Sequence, residues 1–195
     1  MLFSATTPPQ VNTFAQRYCQ NPEYIKVEKK GENSVSKIKH YYIEADSTQK
    51  NFILLNFLRL NINNSIIVFA NTKRKVEQIK ESLLRKDLKV DCIHSGLSQN
   101  RRIKVFDRFK KNQTPLLIAT DVAARGLHVD NISYVVNYDF PQNQEFYIHR
   151  VGRTGRIGAS GKAITFVNSL KEKGQLLSIG RRQEFKVEKF DNLVS

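Results

Sequence analysis

The sequence predicts an α/β fold built on a mostly parallel sheet, and three features carry that expectation. From Lys37 onward, segments of strand character alternate with helical ones, as βαβ crossovers require. Two of the strand segments, Ser65–Ala70 and Pro115–Ala119, are short continuous apolar runs, the mark of strands covered on both faces. Small hydroxyl, glycine and arginine residues also gather just after strands, where parallel sheets collect ligands.

Residues Met1–Thr6 read as a strand tail and turn, followed by a helix over Pro9–Cys19 and a strand over Tyr24–Glu28. Residues 29–36 are polar and carry a glycine, so they read as a linker. The compact domain spans 37–195. It opens with a strand at Ile38–Ile43 and a helix capped by Asp46 or Ser47 that runs to about Leu60, with Phe52, Leu55 and Leu58 among its apolar positions. After the Ser65–Ala70 strand comes a helix over Thr72–Lys86, with Val76, Ile79 and Leu83 on one stripe. Val90–His94 is a strand, and Ser98–Lys110 a helix expected to turn Ile103, Phe106 and Phe109 inward. Beyond Pro115–Ala119, Thr120–Arg125 reads as a loop with one helical turn. The pattern closes with strands at Ile132–Tyr138 and Lys162–Asn168 and helices at Asn143–Val151 and Leu170–Arg182. The tail Phe185–Phe190 reads as a last edge strand or a connection to a further segment.

Apolar residues make up 40% of the chain, enough for a core, while the formal charge of +14 favours an anionic partner, nucleic acid before membrane surface. No segment approaches the ~18 apolar residues a membrane helix needs and no signal peptide opens the chain, so a cytoplasmic protein is expected. Cys19 and Cys92 are far apart and read as reduced thiols, Cys92 buried; the four histidines lack matching ligand clusters, so no metal site is expected.

Four post-strand loops hold the candidate residues: Asn71–Arg74, His94–Arg102, Thr120–Gly126 and His149–Gly161. The first opens a helix, whose amino terminus attracts anions. His94-Ser95-Gly96 with Gln99-x-x-Arg102 repeats the arrangement, and Thr120-Asp121 through Arg125-Gly126 repeats it again. Together they suggest a track for a polyanion backbone, touched without reading its sequence. In the fourth loop, Arg150, Arg153 and Arg156 are spaced by three and interleaved with glycines. Glycine lets backbone approach a ligand closely and arginine offers a planar fork that matches phosphate, so this reads as a phosphate-reading loop; the alternative is a solvated basic turn. Asp121 reads as a helix cap or arginine partner before a catalytic base, His94 as locally hydrogen-bonded, Phe69 and Phe109 as core, and Lys104, Lys110 and Lys111 as a solvated face. The chain carries no G-x-x-x-x-G-K-[ST] loop and no paired-acid run for magnesium, so alone it is not expected to hydrolyse a nucleotide.

With these residues collected, the chain resembles the carboxyl-terminal RecA-like domain of a DEAD-box RNA helicase. The likeness rests on Ser4-Ala5-Thr6 (motif III), Ile66–Thr72 (motif IV), Gln99-x-x-Arg102 (motif IVa), Thr120–Leu127 (motif V) and His149–Arg156 (motif VI), in family order and spacing. The resemblance implies a RecA-like three-layer sandwich, with residues 1–30 the remnant of an amino-terminal RecA-like domain that would hold ATP and Mg2+. It implies that Arg153 and Arg156 reach the γ-phosphate and that His149 joins their loop to motif III and the attacking water. Gly126 and His128 would lie near the nucleotide, His128 standing where the family usually has Asp. Thr72, Gly96, Gln99, Arg102, Thr120, Asp121 and Arg125 would hold the RNA backbone, while Ser4 and Thr6 couple the domains. The expected partners are RNA and the amino-terminal domain, the expected state a monomer. Three functions follow: half of an ATP-dependent RNA helicase, a stand-alone RNA-binding module, or a basic protein-interaction domain.

Overall fold

The computed structural model of the 195-residue chain describes residues 9–19, 23, 38–124, 132–155 and 161–191. The chain divides into two compact units, Met1–Glu32 and Asn33–Ser195. In the first, helix α1 (Pro9–Tyr18) sets the Phe14 and Tyr18 rings 4.5 Å apart, one turn from each other on the helix surface. The expected strand at Tyr24–Glu28, the linker 29–36 and the motif III residues Ser4 and Thr6 lie outside the described residues.

The second unit alternates strands and helices. Its elements are β1 (Ile38–Glu44), α2 (Lys50–Leu60), β2 (Ile66–Phe69), α3 (Lys73–Leu84), β3 (Val90–Ile93), α4 (Gln99–Lys110) and β4 (Leu116–Ala119). They continue through α5 (Asp121–Ala124), β5 (Tyr134–Asn137), α6 (Gln144–Val151), β6 (Gly161–Val167), α7 (Leu170–Arg182) and β7 (Val187–Lys189). The strands form one sheet in the order β3-β4-β2-β5-β6-β1-β7, and every pairing is parallel, where the sequence predicts a mostly parallel one. The tail is therefore an edge strand: β7 pairs with β1 through Tyr41 and Glu188.

The apolar runs behave as their composition requires. All four residues of β2 and of β4 are buried, because both faces of the sheet are covered. Side chains alternate: Ile66 and Val68 join a core with α2 and α3, while Ile67 and Phe69 join one with α4 and α5. A third cluster, including Ile38, Tyr147, Val151, Ala163 and Leu176, seats α6 and α7 on the same side as α4. The outcome is three layers, helix, sheet, helix. Side-chain oxygens cap four helices: Thr72 accepts from the Lys75 amide, Ser98 from Arg101, Asn143 from Phe146 and Ser169 from Glu172.

Two local expectations, the Asp46 cap and the inward Ile103, need correction, and the fold settles which face α2 buries. Asp46 does not cap α2; its Oδ1 accepts from the Thr48 and Gln49 amides at 2.8 and 2.9 Å, closing a turn before a helix that starts at Lys50. Phe52 is 68% exposed, since the buried stripe of α2 runs through Lys50, Leu54, Phe57 and Leu58. Ile103 is 49% exposed, since Val105 and Phe109 face the core and Phe106 packs partly against it.

Candidate functional site

The strand order brings three of the four loops together at the carboxyl edge. The Ala70 amide donates to Ala119 at 3.0 Å and the Thr120 amide to Ile93 at 3.2 Å. The ends of β3, β4 and β2 thus stand in a row, with the end of β5 next to them through the Tyr138 and Asp139 amides on the Phe69 carbonyl. Thr72, at the start of α3, is exposed with Oγ1 3.1 Å from the Lys75 amide. Thr120 is buried at the head of α5, its carbonyl accepting from Ala124. Gln99 and Arg102 share the first turn of α4, where Arg102 Nη1 donates to Gln99 Oε1 at 3.1 Å and Nη2 to the Ala123 carbonyl at 3.4 Å. Arg102 Nε is buried with no hydrogen-bond partner. Gly96 is exposed, and its amide donates to His94 Nδ1 at 3.1 Å.

The residue that organises the edge is Arg150, which the sequence groups with Arg153 and Arg156 in a phosphate-reading loop but which the fold turns inward, away from any ligand. Helix α6 buries Tyr147, Arg150 and Val151 on one stripe, and the Arg150 side chain is 1% exposed. All five of its N–H donors have acceptors. Nε and Nη2 hold the two Asp121 oxygens at 2.6 and 2.7 Å, and Nη2 also reaches Asn71 Oδ1 at 2.7 Å. Nη1 donates to the Asp139 carbonyl at 2.8 Å and to Asn137 Oδ1 at 3.3 Å. The guanidinium carbon lies 5.3 Å from the centroid of the Phe69 ring. Asn71 completes the frame, its amide donating to Asp139 Oδ2 at 3.0 Å and its side chain to the Phe140 carbonyl at 3.1 Å. One buried side chain therefore clamps the loops after β2, β4 and β5 to the end of α6. Asp121 is an arginine partner, one of the two local roles its position suggested.

Arg153 follows one turn later. It is half-buried, its Nε donates to the His149 carbonyl at 3.1 Å, and it lines a small cleft with Phe69, Asp121, Ala124, Phe146, His149 and Arg150. The turn beyond it is tight. Gly155 has φ 67°, in the left-handed region, and a Cβ on Gly161 would overlap Thr154 and the Gly155 amide. Thr154 Oγ1 donates to the Ile132 carbonyl and so ties this turn to the entrance of β5. Arg125, Gly126, His128 and Arg156 lie outside the described residues. Among the described residues, no helix is long and apolar enough to cross a membrane.

Comparison with known proteins gives concordant results. Residues 49–158 match the family described as helicase conserved C-terminal domain. The chain is 42% identical over 189 residues to the DEAD-box ATP-dependent RNA helicase CshA of Geobacillus kaustophilus, covering 97% of this chain and 40% of that protein. The chain thus spans well under half the length of that relative. Its fold superposes on Saccharomyces cerevisiae Dbp5 bound to RNA and ADP BeF3 with a TM-score of 0.84 at 28% identity, over 96% of this chain and 50% of Dbp5. The C-terminal domain of the DEAD-box protein Dbp5 by itself matches with a TM-score of 0.73 at 31% identity, over 80% of this chain and 91% of that one.

Proposed function

Since the chain belongs to the helicase C-terminal family and is the RecA-like carboxyl-terminal domain of a DEAD-box RNA helicase, we propose that it grips an RNA backbone and supplies arginine fingers to ATP held by an amino-terminal RecA-like domain. The observation that carries this reading is the Arg150 clamp. It ties the loops after β2 and β4, next to Thr72 and Thr120, to the helix end that leads into Arg153, and so links a group proposed to meet phosphate with groups proposed to meet RNA.

In this reading Thr72, Gln99, Arg102, Thr120 and Arg125 contact the sugar-phosphate backbone. Arg102 suits the role because its guanidinium is only partly satisfied, in contrast to that of Arg150. Gly96 contributes by its missing side chain, as a Cβ there would stand 3.1 Å from the His94 ring. Asp121 acts on RNA through the loop it fixes, its carboxylate being spent on Arg150. Arg153 and Arg156 close on the γ-phosphate, His149 and the Ser4-Ala5-Thr6 segment transmit closure, and Gly126 and His128 face the nucleotide. Mg2+ would be held by the amino-terminal domain and not by residues of this chain, and would there supply charge neutralisation to the phosphates. Dbp5, a relative, is bound to RNA and ADP BeF3.

The test combines this chain with the amino-terminal RecA-like domain of a CshA-type relative and measures RNA-stimulated ATP turnover. Turnover is expected to appear and to fall by ~10³-fold or more with Arg153→Ala. RNA binding by the chain alone should weaken steeply between about 50 and about 200 mM salt, as counterion release requires. Salt-sensitive RNA binding without any turnover would make the chain a stand-alone RNA-binding module. Absence of RNA binding would leave a protein-interaction domain.

A further inference from the structure

Glu77 lies on α3, outside every loop assigned above. Its Oε1 meets His94 Nε2 at 2.8 Å and accepts from Cys92 Sγ at 3.4 Å, and its Oε2 pairs with Lys80 Nζ at 3.4 Å. Burial raises the carboxyl, but the bonds from His94, Cys92 and Lys80 outweigh it and hold Glu77 below its ordinary value. On the other side of the imidazole the Gly96 amide points at Nδ1 at 3.1 Å. A backbone amide only donates, so Nδ1 carries no proton; the ring's proton sits on Nε2 and is aimed at Glu77. His94 is 7% exposed, so that Nε2–H has little access to water.

We infer that Glu77 is a positioning residue for RNA binding. It orients the His94 ring so that Nδ1 fastens the Gly96 amide and, with it, the loop that starts α4. The Leu97 amide on the His94 carbonyl and the Ser98 cap carry this constraint forward to Gln99 and Arg102. The inference rests on the RNA grip proposed above. A competing use of the same atoms is a soft divalent metal, since Glu77, Cys92 and His94 bring ligand atoms within 4.8 Å of one another. The ring argues against it. Metal on Nε2 would place the proton on Nδ1, facing the Gly96 N–H, against the usual pattern in which that proton meets an acceptor.

Two variants test the inference. Glu77→Gln keeps a carbonyl acceptor for Nε2–H, and Glu77→Leu removes it at a half-exposed position. In the parent protein, ring nitrogen resonances should report a protonated Nε2 and a bare Nδ1 for His94. The Leu variant should shift the Gly96 amide resonance and weaken single-stranded RNA binding by about three- to ten-fold. The Gln variant should leave both near parental values. Unchanged Gly96 and RNA affinity in the Leu variant would overturn the inference. So would a Nδ1-protonated ring, or a tetrahedral cobalt(II) spectrum with a Cys92 thiolate band at stoichiometric metal. Failure of the parent chain to bind RNA defeats the functional reading instead, and the ring and Gly96 signals then judge the clamp alone.

Discussion

Arg150 shows what a fully enclosed guanidinium does when every N–H is matched. Its worth is geometric, because lysine offers three donors from a point charge and cannot reproduce a fork held by Asp121, Asn71, Asn137 and Asp139. Arg150→Ala leaves the Asp121 carboxylate without its cation, and we expect a loss of about 3–5 kcal/mol, read as a lower urea midpoint at unchanged slope. Arg150→Lys should recover only a minor part. The equal spacing of the arginines was legible in sequence, but not that Arg150 turns inward. The signal that separates them is helical: Arg150 stands three residues after Tyr147 and beside Val151, on the stripe α6 buries. Arg102 carries a similar lesson, for its side chain reaches α5 from a helix whose apolar positions alone were used to choose a buried face.

At the scale of elements, most strands and helices were readable because their periods differ and their caps are conventional. The faces of α2 and α4 were harder. Helix α2 has apolar residues nearly all round, so Phe52-Leu55-Leu58 and Leu54-Phe57-Leu58 are equally good stripes until β1 and α3 select one. Helix α7 offers a direct comparison of two glycines. Nothing lies within 4 Å of a Cβ built on Gly174, which is exposed, so Gly174→Ala should stabilise the domain by about 0.5–1 kcal/mol through helix propensity. A Cβ on Gly180 would sit 2.9 Å from the Phe185 carbonyl oxygen, a backbone atom with little room to retreat. Gly180→Ala should therefore cost about 1–3 kcal/mol despite the same propensity gain. Thermal midpoints of the two variants, with opposite signs, check the argument.

For the molecule as a whole, the alternation of elements announced a parallel sheet, but strand order was not readable from it, since β1 pairs with β6 and not with its sequence neighbour β2. Proximity of the loops after β2, β3 and β4 depended on that order. The closed core also sets a response to alkali. Burial pushes the Cys92 thiol from 9.0 to about 11 and the Tyr138 phenol from 10.0 to about 12. Both are neutral in the folded protein, whereas the unfolded chain ionises them at ordinary values. Their contribution is complete below about pH 9 and is lost as pH rises from 9 to 12. The urea midpoint should fall across that window, and a Cys92→Ala, Tyr138→Phe double variant should flatten the decline.

The pairing of Ile38 with Gly161 has a consequence for biosynthesis. At ordinary translation speeds β1 leaves the ribosome on the order of ten seconds before its partner strand exists. Late in that interval the nascent polypeptide carries Ile43 and the β2 and β4 apolar runs with an incomplete ladder, a natural client for a holding chaperone. Copies stalled before β6 would be prey to proteases, because the strand that joins β1 to β5 is then missing.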